Sequence, residues 1–369
     1  MTGRRPLLLL LLALGAPIAP HARADGGRTP VWTATTLSAP GHYYVTRDLT
    51  GPPPVLVISS PDVVLDLDGH TVTATSTSFA AIFVQPASGT RGTIEVRGGR
   101  VRGGSRNVWY SGPSGPASNV RVRLLDLDLS AAGESPLVLQ SARSGEITRC
   151  RVHDSGAITP GIVVEALFQP STMVTITDSV VSNVGGGGIR LDRVAAGAVR
   201  NTLVDRWSTA MDQPGISVEG AGTNAGGFLL EGNTLRGANA SAQGIVLQAN
   251  AHRTAVRRNV VSGAIAAGLV AASSGNQVSH NVIGVTGAQG VSVTGSDNRL
   301  EANQVTSSSG NGVSVSGTGN HLEGNTIEGN GGWGLVCSGA TNAYRGNMLR
   351  NNGSGAVSGT GTDAGGNIP

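Results

Sequence analysis

Asn259, Asn281, Asn303, Asn325 and Asn347 stand 22 residues apart, and Asn276, Asn298, Asn320 and Asn342 keep the same step. A Gly followed by an aliphatic residue runs in phase with them, at Gly268-Leu269, Gly290-Val291, Gly312-Val313 and Gly334-Leu335. Three columns at one period are an internal repeat, and a repeat fixes architecture before composition does. A 22-residue unit is too short for the paired helices of helical repeats. Its Gly, Asn, Ser, Thr and Val are also poor helix formers. Val291-Ser292-Val293 and Val313-Ser314-Val315 alternate as strands with one face inward, while Gly and Asn supply turns. A unit of short strands that returns to its start and rises by one strand spacing is a coil of a parallel β-helix. Identical Asn side chains stacked every ~4.8 Å can then hydrogen-bond along the column.

Upstream, Val63 to Val72 reads Val-Val-Leu-Asp-Leu-Asp-Gly-His-Thr-Val and begins the coils. With this segment and the repeat columns, the chain resembles the right-handed parallel β-helix repeat proteins. These are the pectate-lyase-like superfold with its NosD-type and carbohydrate-binding-and-sugar-hydrolase repeats. The resemblance covers roughly Tyr43 to Asn352. It implies an all-β, single-domain solenoid, and it leaves activity open because one fold hosts many functions.

Placing the Asn anchor upstream at His70, Gly99, Leu125, Cys150, Ser179, Asn201 and Asn233 gives intervals of 29, 26, 25, 29, 22, 32 and 26 residues. With the regular units that makes about twelve coils. Residues 61–352 are therefore expected to form the helix, residues 25–60 a linker and N-terminal cap, and residues 353–369 a flexible tail. Extra residues in a solenoid enter loops on one face. The largest insertions fall between Cys150 and Asn259, at Phe168 to Met173, Trp207 to Gln213 and Thr223 to Gly227.

Met1 to Ala24 has the form of a secretory signal peptide, with Arg4-Arg5, an apolar run from Leu7 to Leu14 and the Ala22-Arg23-Ala24 cleavage site. A secreted or periplasmic protein is expected, with no membrane span after cleavage near Ala24. Removing Arg4, Arg5 and Arg23 leaves 23 basic residues against 23 acidic ones, and no Arg cluster tracks phosphates, so nucleic acid is not an expected partner. The chain has no Lys, which excludes Schiff-base chemistry and the P-loop. Cys150 and Cys337 lie about seven coils apart, or ~34 Å, too far for a disulfide, and read as buried small hydrophobes.

Two outward columns carry the candidate chemistry. Four residues after the coil Gly come Glu165, Asp192 and Glu219, then Gln248; four after the anchor come Asp154, Asn183 and Asp205. Stacked carboxylates ~4.8 Å apart repel unless something offsets them. A bound Ca²⁺ at Glu165, Asp192 and Glu219 is one resolution. A raised pKa on the middle group, suited to glycoside chemistry, is another. Neutralisation by Arg190, Arg193, Arg206 and Arg236 is the third. In a cleft lined by Asp154, Glu165, Asp192, Asp205 and Glu219, either His153 or Arg206 could act as the base, or His153 could be an exposed turn residue. Trp109, Tyr110, Phe168 and Trp207 either stack on sugar rings or close the core.

The catalytic signatures of polygalacturonase-like members are absent. Asn201-Thr202 and Asn233-Thr234 are each followed by Leu where those enzymes carry Asp, and their Lys is missing. The Asp-Pro-His of alginate epimerase-like members is missing too. Two readings follow: a polysaccharide-active lyase or hydrolase, or a non-catalytic binding or structural module. Polysaccharide is the expected partner, with Ca²⁺ or no cofactor.

Overall fold

The computed structural model describes residues 27–112, 119–156, 158–167, 173–222, 226–238 and 242–369. The expected signal peptide and Phe168 lie outside the described residues. The described strands stack into three ladders, and every strand pairing is parallel. One coil shows the plan, with Val63–Asp66 in ladder 1, Thr71–Ala74 in ladder 2 and Ile82–Val84 in ladder 3. Arg91–Arg102 and Asn119–Ser130 run through ladders 1 and 2 without a break, which joins those two into one sheet. Ladder 3 stands apart as a 14-stranded sheet running from Thr35–Leu37 to Gly355–Gly359.

Alternation along each strand builds the interior. Ile162 and Val164 are buried while Glu165 faces outward, and Val291 and Val293 are buried around the outward Ser292. The inward side chains form one continuous hydrophobic core from Val31 to Leu349. Cys150 and Cys337 are both free thiols inside it.

Each corner between strands uses the same device. Arg258, His280 and Ala302 take left-handed φ values of 55°, 57° and 52°, and each precedes a ladder Asn. A non-Gly residue in that region costs about 1–2 kcal/mol. The rung that follows offsets the cost. In Asn259 both the side-chain amide and the backbone N–H donate to Asn281 Oδ1, at 2.9 and 3.0 Å, and the Asn281 side chain repeats this onto Asn303. Asn276, Asn298, Asn320 and Asn342 form a second such column at another corner. A third corner has its own column, Ser308, Asn330 and Asn352, which the two-column reading of the sequence missed.

The ladders correct two anchor positions. The residue beneath Asn233 is Thr202, whose backbone N–H donates to Asn233 Oδ1, and Asn201 is the left-handed residue before it. Likewise Gly99 pairs with Leu127, not Leu125. The ladders also extend past the expected 61–352. Arg28–Val31 pairs with Gly41–Val45, and Thr35–Leu37 with Leu56–Ile58. At the far end, Gly355–Gly359 pairs with Trp333–Cys337, and Asn367 caps the rung of Asn347.

Candidate functional site

The outward face of ladder 3 gathers most of the candidate residues. Phe83 and Trp109 are register neighbours, each the middle residue of an in-out-in strand. With Phe79 they form a cluster whose ring centroids lie 4.8 to 5.2 Å apart. The Arg106 guanidinium sits 4.5 Å from the Trp109 ring centroid and pairs with Glu134 at 2.6 Å. The Trp109 indole N–H donates to Gln140 Oε1 at 2.7 Å, and the Gln140 amide donates to Glu165 Oε1 at 2.6 Å. Arg190 closes the row, donating to Glu165 Oε2 at 3.1 Å. Asp192 lies beside Glu165 in register and is held by Arg193 at 3.4 Å. Five coils thus present one unbroken strip, aromatic at one end and charged at the other.

Glu165, Asp192 and Glu219 are not gathered into a three-ligand group among the described residues. Calcium needs six to eight oxygen ligands. Both Glu165 oxygens already accept hydrogen bonds from Gln140 and Arg190. A register shift between Leu191 and Val194 sets both Asp192 and Arg193 against Glu219 and interrupts the regular stacking of the column. Among the described residues no group of three His, Cys, Asp or Glu could hold a metal ion. Arg partners lie on three of these acids: Arg190 on Glu165, Arg193 on Asp192, and Arg206 and Arg236 on Asp205.

The aromatic expectations divide. Trp109 is partly exposed on the outer face, but Tyr110 and Trp207 are fully buried and cannot meet a ligand. Strand alternation explains Tyr110: Val108 and Tyr110 point inward around an outward Trp109. Ile82-Phe83-Val84 carries the same in-out-in signal, by which Phe83 could have been found.

On ladder 2, His153 bridges two carboxylates. Its Nε2 lies 2.7 Å from Asp128 Oδ1 and its Nδ1 2.7 Å from Asp154 Oδ2. Asn183 donates to Asp154 Oδ1 at 2.6 Å, and with His153 holds that carboxyl below the usual Asp range. Asp128 reaches His153 from the preceding coil and was not among the sequence candidates. Asp205 stands in the His153 column, two strands on through Ser182, while Arg206 continues the column of Asp154 and Asn183. With both ring nitrogens engaged and Asp205 bound by two arginines, these four residues do not assemble around a common point.

Residues 161–327 match the family model described as a right-handed beta helix region. No curated protein matches the sequence. Among solved structures, a point mutant of the periplasmic alginate epimerase AlgG superposes with a TM-score of 0.52 at 14% identity, over 90% of this chain and 77% of that one. A second AlgG mutant gives 0.50 at 14% identity, over 89% and 77%. The A-module of the Azotobacter vinelandii mannuronan C-5 epimerase AlgE4 gives 0.49 at 16% identity, over 89% and 91%. No helix among the described residues is long and apolar enough to cross a membrane. With every ladder parallel, the described residues fold as an all-β parallel β-helix, and residues 161–327 carry the right-handed beta helix match.

Proposed function

We propose that the protein binds polysaccharide along the outward face of ladder 3, as a binding module rather than a catalyst. The observation that carries this is the fixed row Trp109, Gln140, Glu165, Arg190. Phe83 and Trp109 offer ring surface for the C–H faces of sugars. Gln140, Glu165 and Arg190 are locked by one another, so little side-chain entropy is lost when hydroxyl or carboxylate groups of a glycan meet them. Strand pairs ~4.8 Å apart extend this face continuously, which suits a chain ligand better than a small molecule. The alginate epimerase named among the fold neighbours supports the ligand class. The leader expected at Met1–Ala24 would deliver the protein to the periplasm or exterior, where such glycans occur.

Catalysis is the second reading, and the adjacency of Glu165 and Asp192 favours it. Paired carboxylates near 5 Å are a glycosidase spacing. In this protein each carboxylate is tied to an arginine, which opposes the proton exchange an acid/base pair requires. Affinity electrophoresis through gels cast with alginate, pectate or neutral glucan separates the readings. Retardation by one glycan, lost in Trp109→Ala with Phe83→Ala, is the expected result. Reducing ends or unsaturated products that accumulate with wild type and vanish in Glu165→Gln would overturn the module in favour of an enzyme. Equal mobility of wild type and variant in every gel would remove ladder 3 as the binding face.

A further inference from the structure

Ladder 2 carries, on its outward face, a charge pattern that complements itself when reversed. One outward column runs Asp205, Arg236, Ser262, Gly284, Thr306 along the register, and Glu328 and Arg350 continue it. Its charges read minus, plus, three neutral residues, minus, plus. The adjacent column runs Leu203, Thr234, Val260, Val282, Gln304, Thr326 and Met348. Apolar residues mark both ends, a Thr lies inside each, Val282 holds the centre, and Val260 and Gln304 flank it.

The centre is also where apolar surface is exposed. Val260 and Val282 are each 41% exposed and Val285 is 67% exposed. Val285 has a further peculiarity. It occupies the left-handed corner position, φ 52°, which Gly237, Gly263, Ser307, Gly329 and Asn351 fill on other coils. A β-branched residue is a poor occupant of that region. An exposed, strained valine gains nothing within its own chain.

We infer that this face docks a second copy of the same chain, with the two solenoids antiparallel. The two-fold axis lies parallel to the strands over Val282 and Gly284. That operation reverses the coil order and keeps the columns aligned, so the interface is isologous. Arg236 of one copy then meets Glu328 of the other, Asp205 meets Arg350, Thr234 meets Thr326 and Leu203 meets Met348. Val282 and Val285 meet their own counterparts on the axis, and the strained valine becomes buried. A parallel pairing sets each coil against its own copy, and with its axis over this column it would put Arg236 against Arg236, which the charges oppose. The side chain of Arg236 is 59% exposed despite its bond to Asp205, which leaves it free to reach a partner. From Asp205 to Arg350 the matched strip spans six strand spacings, about 29 Å. A strip this narrow gives a weak, concentration-dependent dimer rather than an obligate one.

Sedimentation velocity on the mature chain, from about 1 to 200 µM at low salt, tests the pairing. The expected result is a monomer–dimer equilibrium that weakens with added salt, because the end contacts are charged. Val282→Glu places two carboxylates on the axis and is expected to leave monomer throughout. Glu328→Arg is expected to weaken dimerisation at least tenfold, and Arg236→Glu added to it to restore most of the loss. Far-UV circular dichroism confirms that each variant is folded. A wild type that stays monomeric at 200 µM overturns the inference. So does a dimer that Val282→Glu and Glu328→Arg leave unchanged. Glycan retardation resides on ladder 3 and is expected to survive every one of these substitutions.

Discussion

Asn259 donates twice to a single atom of Asn281: its side-chain amide lies 2.9 Å and its backbone N–H 3.0 Å from Asn281 Oδ1. Asn281 in turn sends its own amide back to the Val256 carbonyl at 2.8 Å. Each rung thus satisfies buried donors on one side and an acceptor on the other. Asn281→Ala orphans the Asn259 backbone N–H in a buried corner and leaves its side-chain amide only the Leu230 carbonyl. At about 1–3 kcal/mol per unsatisfied group, the loss should be about 2 kcal/mol or more. Asn281→Thr should cost less, because Ser179 and Thr202 hold the same column upstream and Ser179 Oγ accepts from the Cys150 N–H. Urea midpoints rank the variants, and equal midpoints for Ala and wild type would remove the energetic role of the rung.

Val285→Asn relieves the left-handed strain at φ 52° and should raise the stability of the monomer by about 1 kcal/mol. Denaturant titration at low protein concentration reads this directly. A loss of stability would mean that the valine is better accommodated in its own chain than its backbone angle suggests.

These two sites show what was legible in the sequence. The Asn columns at 259–347 could be read because one residue type repeats at fixed spacing. The same column upstream is filled by Cys150, Ser179 and Thr202, so the anchor was set on Asn201, one residue early. That single step put Asp205 in the column of Asp154, where the structure has Arg206. Tyr110 and Trp207 were read by rarity rather than by alternation, and both are interior. Partners such as Asp128 for His153 come from the preceding coil, and coils of unequal length hide that register.

Glu146 carries an acid-sensitive part of the stability. Arg123, at 3.0 Å, and Arg121, at 2.7 Å, hold its carboxyl below the usual Glu range. A lowered folded pKa contributes stability that is complete above the unfolded value, about 4.3, and is lost as pH falls through the folded value. Glu146→Gln should therefore be less stable than wild type at pH 7, with the gap narrowing below about pH 4. Thermal midpoints at pH 7 and in acid check this; a gap that does not change with pH would assign the loss to packing.

Burial pushes the Cys150 thiol up to about 12. Only the thiolate attacks a disulfide reagent. At pH 8 the folded protein should leave Ellman's reagent unreacted at Cys150, and unfolding in guanidinium should release it. Prompt native-state labelling of Cys150→Ser-sensitive thiol would show that the coil opens locally.

Calcium should leave the thermal midpoint of the mature protein unchanged, since Gln140 and Arg190 already occupy the oxygens of Glu165. A cation held only by the native state would raise the midpoint by mass action. A rise abolished by Asp192→Asn would restore the acidic column as a metal site.

Between Asn259 and Asn347 every coil has 22 residues and every ladder keeps one register. The segment is therefore a ruler marked in units of ~4.8 Å. A genetic loss of residues 282–303 would join Asn281 to Gln304 and shorten the ruler by one mark. No surviving neighbour need change, since Asn281 would take the place of Asn303 beneath Asn325. The length of such a protein can drift by whole units over generations while ladder 3 keeps its row from Trp109 to Arg190 and ladder 2 loses only its central row, and a cooperative melt of the shortened chain would show that drift to be permitted.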